Sequence, residues 1–315
     1  MFMSFYIGVD GGGTKTAYAL FDEEKNIVAE VKTEGSNHEN LEGSFDEAAT
    51  IIWGGITKLL EAGNVTLDDI GFTLMGLAGI DHPYQHDAMC EQMNKRGLKN
   101  FEIFNDGFIV VKAGATGKAA IGYNCGTGTC CNAIDLDGKM VQLGGFSEFS
   151  DDKGNGTWVA VKSFKLIYDE LVLGLEKTAM TEMFKKEFGV NTKEEFLGTL
   201  AMAESEERGR FIMSLIDFFF EASKMGDKPV LKAIDEMSER GADYIVSHLN
   251  SLNFGDGEVE VVLSGSIHTK LPNEVYLDCL KKKIAERSDK KVKYIKLTQA
   301  PVTGCVNWIF QDYKN

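Results

Sequence analysis

The chain has 315 residues, 43% hydrophobic and 26% charged, with a net charge of −15. Those proportions suit a globular protein long enough for two domains, and so acidic a chain lacks the basic face that a nucleic-acid binder needs. No run of 18 apolar residues is present to span a membrane, and "MFMSFY" carries no secretion signal, so the chain is expected in the cytoplasm. Its six cysteines, Cys90, Cys125, Cys130, Cys131, Cys279 and Cys305, show no CxxC spacing and are expected as reduced thiols without zinc.

In chain order, the first feature is "DGGGTKT" at 10–16. A Walker loop would place lysine directly after its second glycine, but Thr14 separates Gly13 from Lys15. The Rossmann fingerprint fails too, because Thr16 stands where its third glycine belongs. The alternating residues that follow, with a turn at "DEEKN", predict strand, turn, strand. The loop therefore joins two strands. It is either a cradle whose N–H groups and Thr14 hydroxyl meet phosphate, or a hairpin with no ligand. A third strand is predicted near 27–32, then a helix over 44–62 with Ser44 as N-cap and Gly63 near its end. Strand 70–77, helix 84–96, strand 101–105 and a helix from 107 complete a first unit.

A second copy begins 114 positions on. "IGVDGGGTKTAYALFDEEK" (7–25) aligns with "IGYNCGTGTCCNAIDLDGK" (121–139), so that Gly8 meets Gly122, Gly12 meets Gly126 and Ala19 meets Ala133. Two such hairpins could hold one polyphosphate from both sides of a cleft. Strands over 118–143 precede helices across about 155–250, then strand 258–264, helix 271–287, strand 292–297 and helix 303–313. The basic stretch 281–296 reads as a solvated helix face running into a strand. Alternating strands and helices predict α/β units with largely parallel sheets, divided as 1–113 and 114–315, the second with a helical insertion at about 155–250. Gly114 and Gly117 make 112–118 the expected hinge.

"IGVDGGGTKT", "NDG" (105–107), "GTGT" (126–129), "GGFSEFSDDKGNGTWVA" (144–160) and "LSGSI" (263–267) occur in an order that resembles the N-acetylglucosamine kinase branch of the BadF/BadG/BcrA/BcrD ATPase family. The resemblance covers nearly the whole chain. It implies duplicated actin-like ATPase (ribonuclease H-like) domains around a cleft, and an ATP- and magnesium-dependent kinase for an amino sugar. N-acetylglucosamine leads, with N-acetylmuramate and glucosamine as alternatives. By resemblance, Asp10 is the magnesium residue; Gly12, Gly13, Thr14 and Lys15 form the first phosphate loop, and Gly126, Thr127 and Gly128 the second. Gly265, Ser266 and Gly304 resemble the adenosine pocket. Asp106 matches the base, and Asn37, Gly145, Phe146 and Asp152 match sugar contacts. A homodimer is implied in the same way.

Two departures stand out: Phe146 replaces the family's usual tryptophan, and Lys153 replaces an acid. Facing inward, Lys153 would favour an anionic substituent such as the lactyl carboxylate of N-acetylmuramate; facing solvent, it would do nothing. Asp106 could alternatively be a helix N-cap, and Asp10 a turn aspartate. Trp158 is expected in the core from its spacing to Val161, and His38 is given no role. Two rival functions are an activator ATPase with a cluster at a dimer interface, for which no convincing cysteine pair is found, and a non-catalytic sugar sensor.

Overall fold

The computed structural model describes residues 4–270 and 274–314. The first sheet is built from β1 (Phe5–Gly11), β2 (Lys15–Phe21), β3 (Ile27–Glu34), β4 (Ile70–Leu77) and β5 (Phe101–Phe104), in the order β3-β2-β1-β4-β5. The second contains β6 (Ala120–Cys125), β7 (Thr129–Ile134), β8 (Met140–Gly144), β9 (Val259–Ser264) and β10 (Val292–Lys296), in the order β10-β9-β6-β7-β8. The two orders are the same when read from opposite edges. Each sheet is half antiparallel, which corrects the largely parallel sheets expected. The first three strands of each unit form a meander, and only the two pairs made after a helical crossover are parallel.

In the first unit, α1 (Ser44–Gly63) crosses from β3 to β4 and α2 (Pro83–Lys95) from β4 to β5. Ser44 is not the N-cap of α1. Gly43 holds that position, and the Glu47 carboxylate reaches back to its N–H at 2.8 Å. At the other end Asn64 takes the left-handed cap conformation, with φ of 52°. In the second unit the β8–β9 crossover is expanded into α4 (Gly156–Leu171), α5 (Met180–Phe188), α6 (Lys193–Gly198), α7 (Arg208–Lys224) and α8 (Lys228–Ser251). Phe164, Phe184, Phe196 and Phe211 pack the first four of these helices together, with the Phe164 and Phe196 rings stacked at 4.6 Å. The short α9 (Ser266–Thr269) follows β9, and α10 (Val275–Ala285) leads to β10. The start of the helix expected over 271–287 falls on 271–273, outside the described residues.

The two units are joined by an exchange of helices. The helix α3 (Asp106–Gly114), which follows β5, packs on β6 and β7; α11 (Thr303–Trp308), from the chain's other end, packs on β1 and β4. Glycine makes both contacts possible. A Cβ on Gly8 would lie 2.9 Å from Cys305 Cβ of α11, and one on Gly122 would lie 2.8 Å from Val111 Cγ2 of α3. The aligned pair Gly8 and Gly122 thus has one physical role in both copies: each lets a helix approach a strand closely. The repeat slips by one residue after the turn, however. Ile7 pairs with Leu20, whereas Ile121 pairs with Ala133, so Ala133 corresponds to Leu20 and not to Ala19.

Candidate functional site

A cleft of about 920 Å³ is lined by residues of both units. Gly12 and Gly13 of the β1–β2 turn, and Thr127 and Gly128 of the β6–β7 turn, line it together with Asn37, Asp106, Gly145 and Asp152. Eight of the residues expected at the site thus share one cavity.

The two glycine turns are braced differently. In the first, Gly12 N–H donates to the Lys15 carbonyl at 3.0 Å, and Ser36 N–H donates to the Gly12 carbonyl at 3.0 Å. Gly35 packs against it so closely that a Cβ there would lie 2.3 Å from the Gly13 carbonyl oxygen. Thr14 and Lys15 are exposed beside this turn. The second turn is one residue tighter, closed by Gly126 N–H donating to the Gly128 carbonyl at 2.9 Å. The Gly126 carbonyl then accepts the Gly156 N–H at 2.9 Å, which fixes the start of α4 against the turn. Asn155 caps that helix by accepting the Trp158 N–H at 2.8 Å. Trp158, in the first turn of α4, is half-buried and packs against the core of the second unit as expected, and with Val161 it also lines the cleft.

Gly265 lies directly behind the second turn. Its φ is 84°, and a Cβ there would lie 2.2 Å from the Cys125 carbonyl carbon, so only glycine fits. Ser266 is exposed beside it. Gly304 is elsewhere: it is buried where α11 crosses α3, and a Cβ would lie 1.9 Å from the Ile109 carbonyl oxygen. The structure does not bring Gly304 to the cleft.

Asp106 is the first residue of α3. The cap of that helix is Asn105, whose Oδ1 accepts the Gly107 N–H at 2.8 Å. Capping therefore does not explain Asp106. Burial, then the carboxylates of Asp10 and Asp81, push its carboxyl up to about 7. Asp10, at the cleft end of β1, is pushed up to about 6 by burial, opposed by the Lys15 ammonium. A half-buried carboxylate with so little positive charge around it suits a hard divalent cation that keeps its waters and phosphate ligands. Among the described residues no group of three or more His, Cys, Asp or Glu side chains could hold a metal by itself.

The segment after β8 is shaped by Asp152. Its Oδ2 accepts Gly145 N–H at 3.0 Å and Ser147 N–H at 2.9 Å, and its Oδ1 accepts the Tyr244 hydroxyl at 2.7 Å. Asp152 thus holds the loop that it shares with Gly145, besides lining the cleft. Phe146 is exposed on this loop. Lys153 does not line the cleft; its ammonium pairs with Asp151 at 3.0 Å. Asn37 lines the cleft while its Oδ1 accepts the Glu39 N–H at 3.0 Å. His38 is buried and stacked on Phe45 at 4.0 Å.

Sequence reasoning missed Asp81, Gln142 and Asn132. Asp81 Oδ1 accepts from Asn105 Nδ2 and from Gln142 Nε2, both at 2.9 Å, and Asn132 Nδ2 donates to Gln142 Oε1 at 3.1 Å. No local pattern signals this group, since its members come from four separate elements. Among the described residues six carboxylates line the cleft (Glu39, Asp81, Asp106, Glu148, Asp151 and Asp152), and no lysine, arginine or histidine does.

A Dictyostelium discoideum protein named N-acetyl-D-glucosamine kinase is 24% identical over 300 residues, covering 91% of this chain and 92% of that protein. Among solved structures, a Chromobacterium violaceum protein provisionally named an N-acetylglucosamine kinase superposes with a TM-score of 0.67 at 16% identity, over 97% of this chain and 99% of that one. A Streptomyces griseus ROK family glucokinase, in complex with glucose and AMPPNP, gives 0.57 at 16% identity, over 96% and 97%. These likenesses show the fold, a duplicated actin-like ATPase architecture. Among the described residues no helix is long and apolar enough to cross a membrane. The sequence of residues 7–306 matches the pattern of one family throughout, and the chain belongs to the BadF/BadG/BcrA/BcrD ATPase family.

Proposed function

We propose that the protein is an ATP-dependent amino-sugar kinase acting on N-acetylglucosamine. The observation that carries this reading is the position of Asp106, a half-buried carboxylate in one cleft with both glycine turns. The names of the relatives point the same way.

Phosphoryl transfer needs alignment and charge neutralisation more than covalent help. The N–H groups of Gly13, Thr14, Thr127 and Gly128, with the Thr14 and Thr127 hydroxyls, would donate to the phosphates of ATP. Asp10 would hold magnesium, which when bound neutralises phosphate charge. Asp106 would accept the proton of the sugar hydroxyl as that oxygen bonds to the γ-phosphorus and the bond to ADP breaks. Gly265 and Ser266, behind the second turn, would meet the nucleoside, and Asn37 and Gly145 the sugar. We take the chain to divide at 113/114, with α3 and α11 exchanged, so that closure of the two units excludes water as a competing acceptor. The ATP supply puts this reaction in the cytoplasm.

The carboxylates disfavour an anionic sugar. Lys153, the one cation expected to welcome a lactyl carboxylate, is committed to Asp151. ADP release measured over N-acetylglucosamine, glucosamine, N-acetylmuramate and glucose tests the reading. N-acetylglucosamine should give the highest kcat/KM and N-acetylmuramate a much lower one. No sugar-dependent ADP from any amino sugar would overturn it.

A further inference from the structure

We propose that Asp81 is a positioning residue for the transfer: through Asn105 it sets the placement of Asp106, and through Gln142 it ties that placement to the other unit. The inference rests on the reading of Asp106 as the base.

Asp81 follows β4 and is held from below, its own N–H and that of His82 both donating to Gln85 Oε1, at 2.9 and 2.8 Å. Gln85 is itself buried. The carboxylate of Asp81 is thereby aimed at the Asn105 amide, which has only one workable orientation. Its oxygen must face the Gly107 N–H to cap α3, so its nitrogen must find an acceptor, and Asp81 supplies it at 2.9 Å. Asp106 is the next residue along the chain, so the same bond that orients the cap fixes the backbone from which the base projects.

The same oxygen of Asp81 accepts Gln142 Nε2 from β8, in the other unit. Asn132 of β7 completes the group by donating to Gln142 Oε1 at 3.1 Å and reaching Asn105 Oδ1 at 3.5 Å. Two side chains of the first unit and two of the second thus form a ring of hydrogen bonds beside Asp106. Separating the units breaks it at Asp81–Gln142 and Asn105–Asn132. The base is therefore best ordered while the two units keep this arrangement.

Charge gives a second handle. The groups facing Asp106 are Asp10 from β1, Asp81 from the β4–α2 turn and the Cys130 thiol from β7, while Lys15 lies near Asp10. Removing the Asp81 charge should ease ionisation of Asp106 even if every hydrogen bond survives.

Asp81→Asn keeps an acceptor oxygen of the same shape, and Asp81→Ala removes it. With N-acetylglucosamine and ATP, Asp81→Ala should lower kcat by tenfold to a hundredfold with the KM for ATP within about threefold, because misplacing a reacting group costs rate more than nucleotide binding. Asp81→Asn should fold, keep most of kcat and move the acid limb of kcat/KM to lower pH, a displacement that a merely structural residue would not cause. Asp106→Asn is run alongside. Wild-type kcat in Asp81→Ala, or an unmoved acid limb in Asp81→Asn, overturns the inference provided Asp106→Asn is inactive. If Asp106→Asn turns over normally, the base reading itself has failed, and the role of Asp81 fails with it.

Discussion

The Glu260 carboxylate clamps Thr116, accepting its N–H through one oxygen and its hydroxyl through the other, both at 2.7 Å. Gly117 N–H adds a longer bond of 3.3 Å, and the Lys293 ammonium sits 3.0 Å from the second oxygen. The connection between the units is therefore held to β9. Gly114 does not make it pliable either, since its missing side chain gives room to Val262. A hinge here must pivot around a fixed strap.

Glu260→Gln tests the clamp. Burial alone would raise this carboxyl, but hydrogen bonds from the Thr116 hydroxyl, Lys293 and the backbone bring it down to about 2. Since that is below its ordinary 4.5, the stabilisation is fully present above pH 4.5 and is lost as pH falls through 2. The variant should be about 1–3 kcal/mol less stable at pH 7. The gap from wild type should shrink as the pH is lowered from 4.5 towards 2. Melting curves across that range decide it, and a gap that stays constant with pH sinks the account.

The helix exchange makes a second prediction. A methyl at Gly304 would meet backbone, the Ile109 carbonyl oxygen at 1.9 Å, which cannot turn aside. At Gly122 it would meet the Val111 side chain at 2.8 Å, which can shift a little. Overpacking costs about 1–3 kcal/mol or more, so Gly304→Ala should lose more stability than Gly122→Ala in urea unfolding. Equal losses would mean that α3 and α11 can slide apart freely.

The contrast between these two glycines shows what the sequence carries. Gly8 and Gly122 were visible because the strands around them alternate and repeat, and the helices announced themselves by periodicity. Gly304 resembled a nucleotide contact because its neighbours fit a motif, yet its constraint comes from a helix nearly 200 residues away in the chain. Such long-range packing leaves no local period. Asp81, Asn105, Asn132 and Gln142 were silent for the same reason: each is an ordinary polar residue until the fold assembles them. Ser44 was misread because a glutamate reaching back can replace a cap that serine normally provides.

Asp152 and Tyr244 separate loop order from direct contact. Asp152→Ala leaves the Gly145 and Ser147 N–H groups without their acceptor, and Tyr244→Phe removes only the hydroxyl that braces Asp152. The first should cost about 1–3 kcal/mol and raise the sugar KM about tenfold or more. The second should do less on both counts, while the KM for ATP stays near wild type in each. A Tyr244→Phe effect on sugar KM as large as that of Asp152→Ala would show that the loop, and not a direct contact by Asp152, governs sugar binding.

Asp106→Asn gives opposite signs for activity and stability, which no structural role of this residue would produce. Asparagine keeps the shape and can still hold a hydroxyl but cannot take its proton. Positioned bases contribute about 10²–10⁴ in rate, so kcat should fall by that factor while the sugar and ATP affinities change little. In the wild type, kcat/KM should fall on the acid side of about pH 7, where Asp106 becomes protonated. For stability, the folded value of about 7 lies above the ordinary 3.8, so the folded protein keeps this proton longer than the unfolded chain does. Ionising this carboxyl therefore destabilises the wild type as pH rises from 3.8 through 7. The asparagine variant escapes that penalty. It should melt higher than wild type at pH 8, and the advantage should disappear at pH 3. A variant that melts lower at pH 8 and still turns over would make Asp106 a structural residue, and the cleft would need another base.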